Sequence, residues 1–342
     1  MRKWEGYEHG VNLGGWLSQC NHTKERYDTF IQEADIQRIS SWKQVDHIRV
    51  PVDYNLVETP EGSYREEGFH YIEQAIAWCR KYRLRMILDL HKTYGYSFDE
   101  GEHESGFFEN EKYQERFYRL WETFASRFGA EEDMLAFELL NEVTDKECSD
   151  AWNRISGECI RRIRRIAPTI RILVGGYYNN SIAAVPDLAP PADENIVYNF
   201  HCYEPLIFTH QGAYWVPTMD TAFRTSIDKS LGELRRECAE QVPWAKVFPE
   251  ASAESRFDAE LVKAYFRTAV DVAQERNVPL YCGEYGVIDR ADPEDTLRWY
   301  RVMHEAFSFY GIGRAAWSYR EMDFGLTDPG LDSVREELLA LL

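Results

Sequence analysis

A chain of 342 residues, 44% apolar and 14% aromatic with periodic apolar segments throughout, has enough patterned hydrophobic sequence to bury one large core, which excludes disorder. Its net charge of −19 argues against nucleic acid or an anionic membrane surface as partner, because both favour a surplus of Lys and Arg. No segment approaches the about 18 consecutive apolar residues of a membrane-spanning helix, and the opening MRKWEGYEHG lacks an apolar stretch of signal-peptide length.

Along the chain, short β-branched and aromatic runs alternate with longer segments of helical period. The predicted strands are GVNLGGW (10–16), HIRVPV (47–52), RMILDLH (85–91), MLAFELLNE (134–142), RILVGG (171–176), NIVYNFHCY (195–203), PLYCGEYG (279–286) and GRAAWSY (313–319). Between them lie helical patterns such as GFHYIEQAIAWCRKYR, EKYQERFYRLWETFASRFG and SDAWNRISGECIRRIRRI. Eight β-α units predict an α/β protein whose parallel sheet closes into a (β/α)8 TIM barrel. An open, doubly wound sheet with a nucleotide site is disfavoured, since no strand is followed by G-x-G-x-x-G or G-x-x-x-x-G-K-[ST].

The connection after the sixth strand is oversized. Residues 204–256 are expected to form a small, mainly helical insertion subdomain over one rim, inside a single catalytic domain spanning 1–342. Seven cysteines, an odd number with no C-x-x-C pair, carry no metal-type spacing. Cys79, Cys159, Cys202 and Cys282 fall inside apolar patterns and read as buried thiols, which predicts a reducing, cytoplasmic location.

In such barrels the carboxyl ends of the strands face the active site. The residues there are Arg49 on the second strand, Asp89 and His91 on the third, and Asn141 and Glu142 on the fourth. The sixth adds His201 and Tyr203, the seventh Glu284 and the eighth Trp317. Each alone has a bland reading: Arg49 could neutralise a buried acid, His91 could be a core imidazole, Trp317 could be packing. Their convergence on one rim describes a site.

Glu142 and Glu284 end strands that face each other across an eight-stranded barrel. Two carboxyl groups flanking a bond are the requirement for glycoside hydrolysis. Arg49 and Tyr203 are placed to hydrogen-bond Glu284, favouring the ionised form that a nucleophile needs. Glu142 follows an apolar run, and burial beside a second carboxylate raises its pKa, as a general acid needs. Nine histidines include no H-x-H and no H-E-x-x-H, so the ligand set is poor even with Asp89 at hand, and no metal or cofactor is expected. The G-x-S-x-G nucleophile elbow is absent as well.

These residues, in this order, resemble glycoside hydrolase family 5, within the clan of barrel glycosidases whose glutamates end strands 4 and 7. The likeness rests on Arg49 in HIRVP, His91 in LDLH, Asn141-Glu142 in ELLNE, His201 and Tyr203 in NFHCY, Glu284 in YCGEYG and Trp317 in AAWSY. GVNLGGWLSQ, YNFHCYEP, FTHQGAYW and MDFGL extend it to the clostridial endoglucanase C type, insertion included. The resemblance implies a retaining endo-β-1,4-glucanase, with Glu142 as acid/base and Glu284 as nucleophile. It further implies Asn141 on the sugar 2-hydroxyl, Arg49 and Tyr203 on the nucleophile, His91 and His201 on the sugar and the acid/base, and Trp317 under the sugar. The expected partner is a β-glucan or β-gluco-oligosaccharide, met by a monomer.

Two departures bear on specificity. Val143 stands where many relatives carry Pro, and Lys92 where they often carry Asn or His. GVNLGGW is also shared with exo-acting β-1,3-glucanases of the family, so a β-1,3- or mixed-linkage glucanase, an exo-glucosidase or a mannanase stays open, with a non-catalytic sugar-binding barrel as the more distant alternative. Rim aromatics Trp16, Tyr94, Tyr96, Phe107, Phe108 and Trp215 are candidate sugar platforms. About half are expected to be packing, with Trp215 the favoured platform.

Overall fold

The computed structural model describes residues 1–99 and 104–342. Eight parallel strands close into a barrel in chain order: β1 (His9–Asn12), β2 (His47–Asp53), β3 (Arg85–Lys92), β4 (Leu135–Glu138), β5 (Arg171–Val174), β6 (Ile196–Cys202), β7 (Leu280–Tyr285) and β8 (Gly313–Ala316). β1 pairs with both β2 and β8, so no strand edge is left open. All eight predicted strands are present. β4 stops at Glu138, four residues before the predicted end, because the chain there leaves the ladder to carry Asn141 and Glu142 over the rim.

The outer ring follows from helical period. The helix Glu66–Tyr82 buries Phe69, Ile72, Ala75, Ile76 and Cys79, and Glu111–Phe128 buries Phe117, Leu120, Trp121, Phe124 and Phe128, each set at three- and four-residue steps. Side-chain caps from Asn110, Asp258 and Asp292 satisfy the first free N–H groups of their helices. β5 is followed only by the short turns Tyr177–Asn180 and Ile182–Asp187. Cys79, Cys159, Cys202 and Cys282 are buried, and all seven cysteines are free thiols. No helix among the described residues is long and apolar enough to cross a membrane. Residues 204–256 hold the helices Leu206–Thr209 and Leu231–Gln241, joined by turns.

The lumen is layered by the two-residue period of a strand. At its base Ile87, Ala136, Leu173, Val197, Tyr281 and Ala315 pack with Trp4 and Tyr7 in a cluster separate from the outer core. Two residues further along their strands come Asp89, Glu138, Asn199 and Gly283, level with Arg49 of β2. Apolar packing therefore gives way within one step to a polar, buried layer, on which the rim residues stand.

Gly283 shows how tight that step is. Its N–H donates to Asn199 Oδ1 at 2.9 Å, and its carbonyl accepts from Asn12 Nδ2 at 2.9 Å. A Cβ on it would lie 2.8 Å from Asn199 Oδ1 and 3.0 Å from His201 Nε2. Gly283→Ala is expected to cost about 1–3 kcal/mol of stability, read by chemical denaturation, with a displaced His201 as the structural sign.

Candidate active site

Arg49 lies in the polar layer with no exposure to solvent. Its Nε and Nη2 donate to the two oxygens of Glu138 at 2.7 and 2.8 Å. Nη1 donates to Asn12 Oδ1 at 2.9 Å and to Glu284 Oε1 at 2.8 Å. Nη2 also reaches Asn141 Oδ1 at 2.9 Å and Asp89 Oδ2 at 3.0 Å. A planar fork of fixed donors thus ties β1, β2, β3, β4 and β7 to one point. Glu138 accepts a further bond from Asn199 Nδ2 at 2.8 Å, so N–H donors alone occupy both its oxygens. That environment suits a carboxylate, and Glu138 balances the charge of Arg49 even though burial pushes its pKa up.

Above this layer stand Glu142, Glu284 and His201. One ligating atom from each lies within 4.8 Å of the others. Glu284 Oε2 accepts from the Tyr203 hydroxyl at 2.9 Å, so Arg49 and Tyr203 hold its two oxygens. Glu142 Oε1 lies 2.7 Å from His201 Nδ1, and Oε2 accepts from Asn179 Nδ2 at 3.1 Å. His201 Nδ1 is 3.6 Å from Glu284 Oε2, which places the imidazole between the two acids.

Burial pushes both Glu142 and Glu284 up to about 7. The two titrate as a pair, and their partners decide the order. Glu284 faces a guanidinium and a hydroxyl donor, both favouring its anion, so it ionises first. Its charge, close to Glu142, then helps hold the second proton on Glu142. Burial lowers His201 to about 4, so the imidazole is neutral and leaves that proton where it is.

Glu142 sits at φ 40, in the left-handed region that side chains other than glycine rarely adopt. The bend is held on both flanks. Tyr96 Oη donates to the Glu142 carbonyl at 2.6 Å and accepts from Thr144 N–H at 3.0 Å. Asn141 N–H donates to Leu90 O at 3.1 Å. With Asn141 Oδ1 taken by Arg49, its Nδ2 has no partner among the described residues.

Among the described residues no hydrogen bond joins His91 to Glu142. Its Nδ1 bonds Asp89 Oδ2 at 2.6 Å, and its ring lies parallel to Trp317, 3° apart in tilt and 5.8 Å between centroids. Burial raises Asp89 to about 7, and its Oδ1 has no hydrogen-bond partner among the described residues. Gly14, in GVNLGGW, makes room for Trp317: a Cβ there would lie 2.7 Å from the indole.

The rim aromatics divide. Trp16 is fully buried and stacks on Trp78, Phe107 is fully buried, and Tyr96 braces the Glu142 bend, so these three are packing. Phe108 packs on both Tyr96 and Phe107. Trp215 is 39% exposed. It joins His210 and Phe324, whose rings also pack on Tyr203, so the insertion is anchored beside the Glu284 partner. Tyr94 lies apart from the two acids, edge-on to Tyr54 and Tyr113.

Glu138, Asn12, Asn199 and Asn179 were not among the residues singled out from sequence. A signal for the first three exists. Asn12, Arg49, Asp89, Glu138 and Asn199 each interrupt an apolar strand interior, and such polar residues inside a lumen need one another. Asn179 comes from a turn after β5 and carries no such mark.

A sequence model of Cellulase (glycosyl hydrolase family 5) matches residues 4–323. Cellodextrinase A of Ruminococcus flavefaciens is 46% identical over 314 residues, 92% of this chain and 86% of that protein. Endoglucanase C of Acetivibrio thermocellus is 37% identical over 339 residues, 98% of each chain. Among solved structures, the clostridial cellulose synthase subunit Z of Clostridioides difficile shares the fold at TM-score 0.78 and 23% identity, over 98% of this chain and 99% of that one.

The raised Glu142 pKa has a consequence for stability. Its ordinary value is 4.5 and its folded value about 7, so the folded chain keeps a proton that the unfolded chain releases between them. The contribution is present below about 4.5 and is lost as pH rises through about 7. Glu142→Gln keeps the shape without the charge. It should be more stable than the parent by about 1–2 kcal/mol at pH 8 and no more stable at pH 4, measured by denaturant unfolding.

Proposed function

This chain belongs to glycosyl hydrolase family 5 and is a glycoside hydrolase, and we propose that it cleaves β-1,4-glucosidic bonds of β-glucans and soluble β-gluco-oligosaccharides with retention at the anomeric carbon. The spacing of the two acids carries the reading. One oxygen of Glu142 and one of Glu284 lie within 4.8 Å of each other, which fits the close carboxyl pair of retaining enzymes, about 5–5.5 Å apart, better than the about 6.5–9.5 Å of inverting ones. The names of two relatives, a cellodextrinase and an endoglucanase, support the linkage.

In this mechanism Glu284 attacks the anomeric carbon while Glu142 protonates the leaving oxygen. A glycosyl ester forms on Glu284, the C–O bond to the leaving sugar breaks, and Glu142 is left as a carboxylate. Loss of the charge on Glu284 and gain of one on Glu142 keeps the total constant. Glu142 then takes a proton from water, the water oxygen attacks the anomeric carbon, the bond from that carbon to the Glu284 oxygen breaks, and Glu284 is released as the anion. Arg49 and Tyr203 hold the Glu284 carboxylate in place before it attacks and stabilise it as it departs in the second step. Asn141, its amide orientation set by Arg49, points the free Nδ2 at the sugar 2-hydroxyl. His201 steers Glu142, His91 and Trp317 form the floor under the sugar, and Trp215 and Tyr94 extend contacts beyond it. The enzyme acts as a cytoplasmic monomer in this reading.

Glu142, His201 and Glu284 also have a spacing that suits a divalent cation. The Arg49 guanidinium 2.8 Å from Glu284 opposes a cation there, and both Glu284 oxygens already accept hydrogen bonds. Activity should therefore be unchanged after treatment with EDTA.

Glu142→Gln is expected to lower kcat on cellotetraose about 10²–10⁴-fold, and Glu284→Gln to abolish turnover, both with the fold retained. Activity should follow a bell in pH, the acid limb tracking ionisation of Glu284 and the alkaline limb deprotonation of Glu142. Proton NMR of the first product should show the β-anomer; an α-anomer, or turnover by either variant at parental rate, would sink the assignment. A product profile on cellotetraose, mixed-linkage glucan, laminarin and mannan checks the linkage, with the first two expected as substrates.

A further inference from the structure

β5 leads into a turn with a costly backbone. Tyr178, Asn179 and Asn180 stand in succession at φ 50, 57 and 54, in the left-handed region that residues other than glycine rarely adopt. Such a run persists only where surrounding contacts hold it. Here they come from the chain just past Glu142. Tyr178 N–H donates to Thr144 O and Asn179 N–H to Val143 O, each at 3.0 Å. The Glu142 bend and the turn after β5 therefore lock each other. Tyr96 Oη braces the same stretch through the Glu142 carbonyl and Thr144 N–H.

The turn aims two amides at the acid/base. Asn179, an exposed residue, donates from Nδ2 to Glu142 Oε2 at 3.1 Å. Asn180 is fully buried, and its Nδ2 lies 3.4 Å from His201 Nε2. A Cβ on Gly175 would lie 2.2 Å from Asn180 Oδ1, so a side chain there would displace this amide. An N–H facing Nε2 makes that nitrogen the acceptor, which leaves the single proton of the neutral imidazole on Nδ1. Nδ1 then donates to Glu142 Oε1, 2.7 Å away. One turn thus governs both oxygens of Glu142, one directly and the other through His201. These bonds count most during proton transfer. As the glycosidic C–O bond breaks, the Glu142 proton passes to the leaving oxygen, and the charge left on Glu142 turns both N–H groups into charge-assisted donors.

We propose that the turn 178–180 belongs to the proton-transfer machinery, with Asn179 a catalytic residue that stabilises the charge Glu142 gains and Asn180 a positioning residue that fixes the donor face of His201. The inference rests on the retaining reading above, with Glu142 as the acid, and deepens it. It places part of the acid/base function on a loop after β5, a strand that supplies no other residue to the site.

The test compares two substrates that differ in their need for a proton. The sugar released from cellotetraose is a poor leaving group that needs the proton of Glu142, whereas the dinitrophenolate of dinitrophenyl β-cellobioside departs without one. Glycine accepts a left-handed φ, so Asn179→Gly removes the amide and keeps the turn; Asn179→Asp keeps its shape without the N–H. In both variants kcat/KM, which reports the steps through formation of the glycosyl ester, should fall about tenfold or more on cellotetraose and stay within about twofold of the parent on the aryl glycoside. Equal losses on the two substrates in both variants, or no loss on cellotetraose in either, overturn the role of Asn179. Nitrogen NMR of protein labelled in its histidine rings should find the parent His201 proton on Nδ1, and Asn180→Gly should weaken that preference. A parent with the proton on Nε2, or a variant that keeps the parent tautomer, overturns the role of Asn180. Glu142→Gln is the reference: it should spare the aryl glycoside in the same way, and an equal loss on both substrates overturns instead the acid assignment beneath the inference.

Discussion

One buried guanidinium organises this active site. Arg49 has no contact with solvent, so each of its N–H groups needs a partner from the protein. Those partners come from four strands and the chain just beyond one of them: Asn12, Asp89, Glu138 and Glu284, with Asn141 past the end of β4. A flexible ammonium could not replace it, since the fork fixes directions as well as charge. The two oxygens of Glu138 take one edge of the fork and neutralise it. The other donors are then free to set the amide of Asn141 and one oxygen of Glu284. The rim residues inherit their positions from this layer, which in turn rests on an apolar plug of buried side chains.

The same burial creates the tension the site works with. Asp89, Glu142 and Glu284 are all pushed up to about 7 by loss of water around them, against a single fixed cation. A fold optimised for stability would not collect so many acids in one lumen. Here the crowding is useful, because two carboxyl groups that cannot easily both ionise divide one proton between acid and base roles. The hydrogen bonds settle which group takes which role: Glu284 has Arg49 and Tyr203, while Glu142 has a neutral imidazole and an amide.

The loops frame the mouth above these strand ends. The insertion after β6 sets Trp215 on a ring cluster that includes Tyr203, on one side of the barrel mouth. The loops after β1, β2 and β3 form a walled cavity on another. Chemistry is therefore carried by strand ends that the barrel holds rigidly, while the connections around them can vary without disturbing those ends.

Much of this was legible in the chain. Alternation of strand and helix patterns is enough for an eight-stranded barrel, because period two and period 3.6 are direct consequences of backbone geometry. The polar residues at strand ends, Arg49, His91, Asn141, Glu142, His201, Tyr203, Glu284 and Trp317, could be named for the same reason, since the barrel sends all those ends to one face. What sequence could not supply was partnership. Glu138 looked like part of an apolar run, yet it carries the charge that balances Arg49. Tyr96 looked like a sugar platform, yet it pins the backbone at Glu142. His91 carried no visible link to Asp89, yet its Nδ1 bonds that carboxyl and its ring lies parallel to Trp317. The sequence by itself determined which side chains reach the rim, because strand period and order decide that locally. Only the tertiary structure decided who bonds to whom and at what protonation, because hydrogen bonds and desolvation depend on residues brought together from strands far apart in the chain.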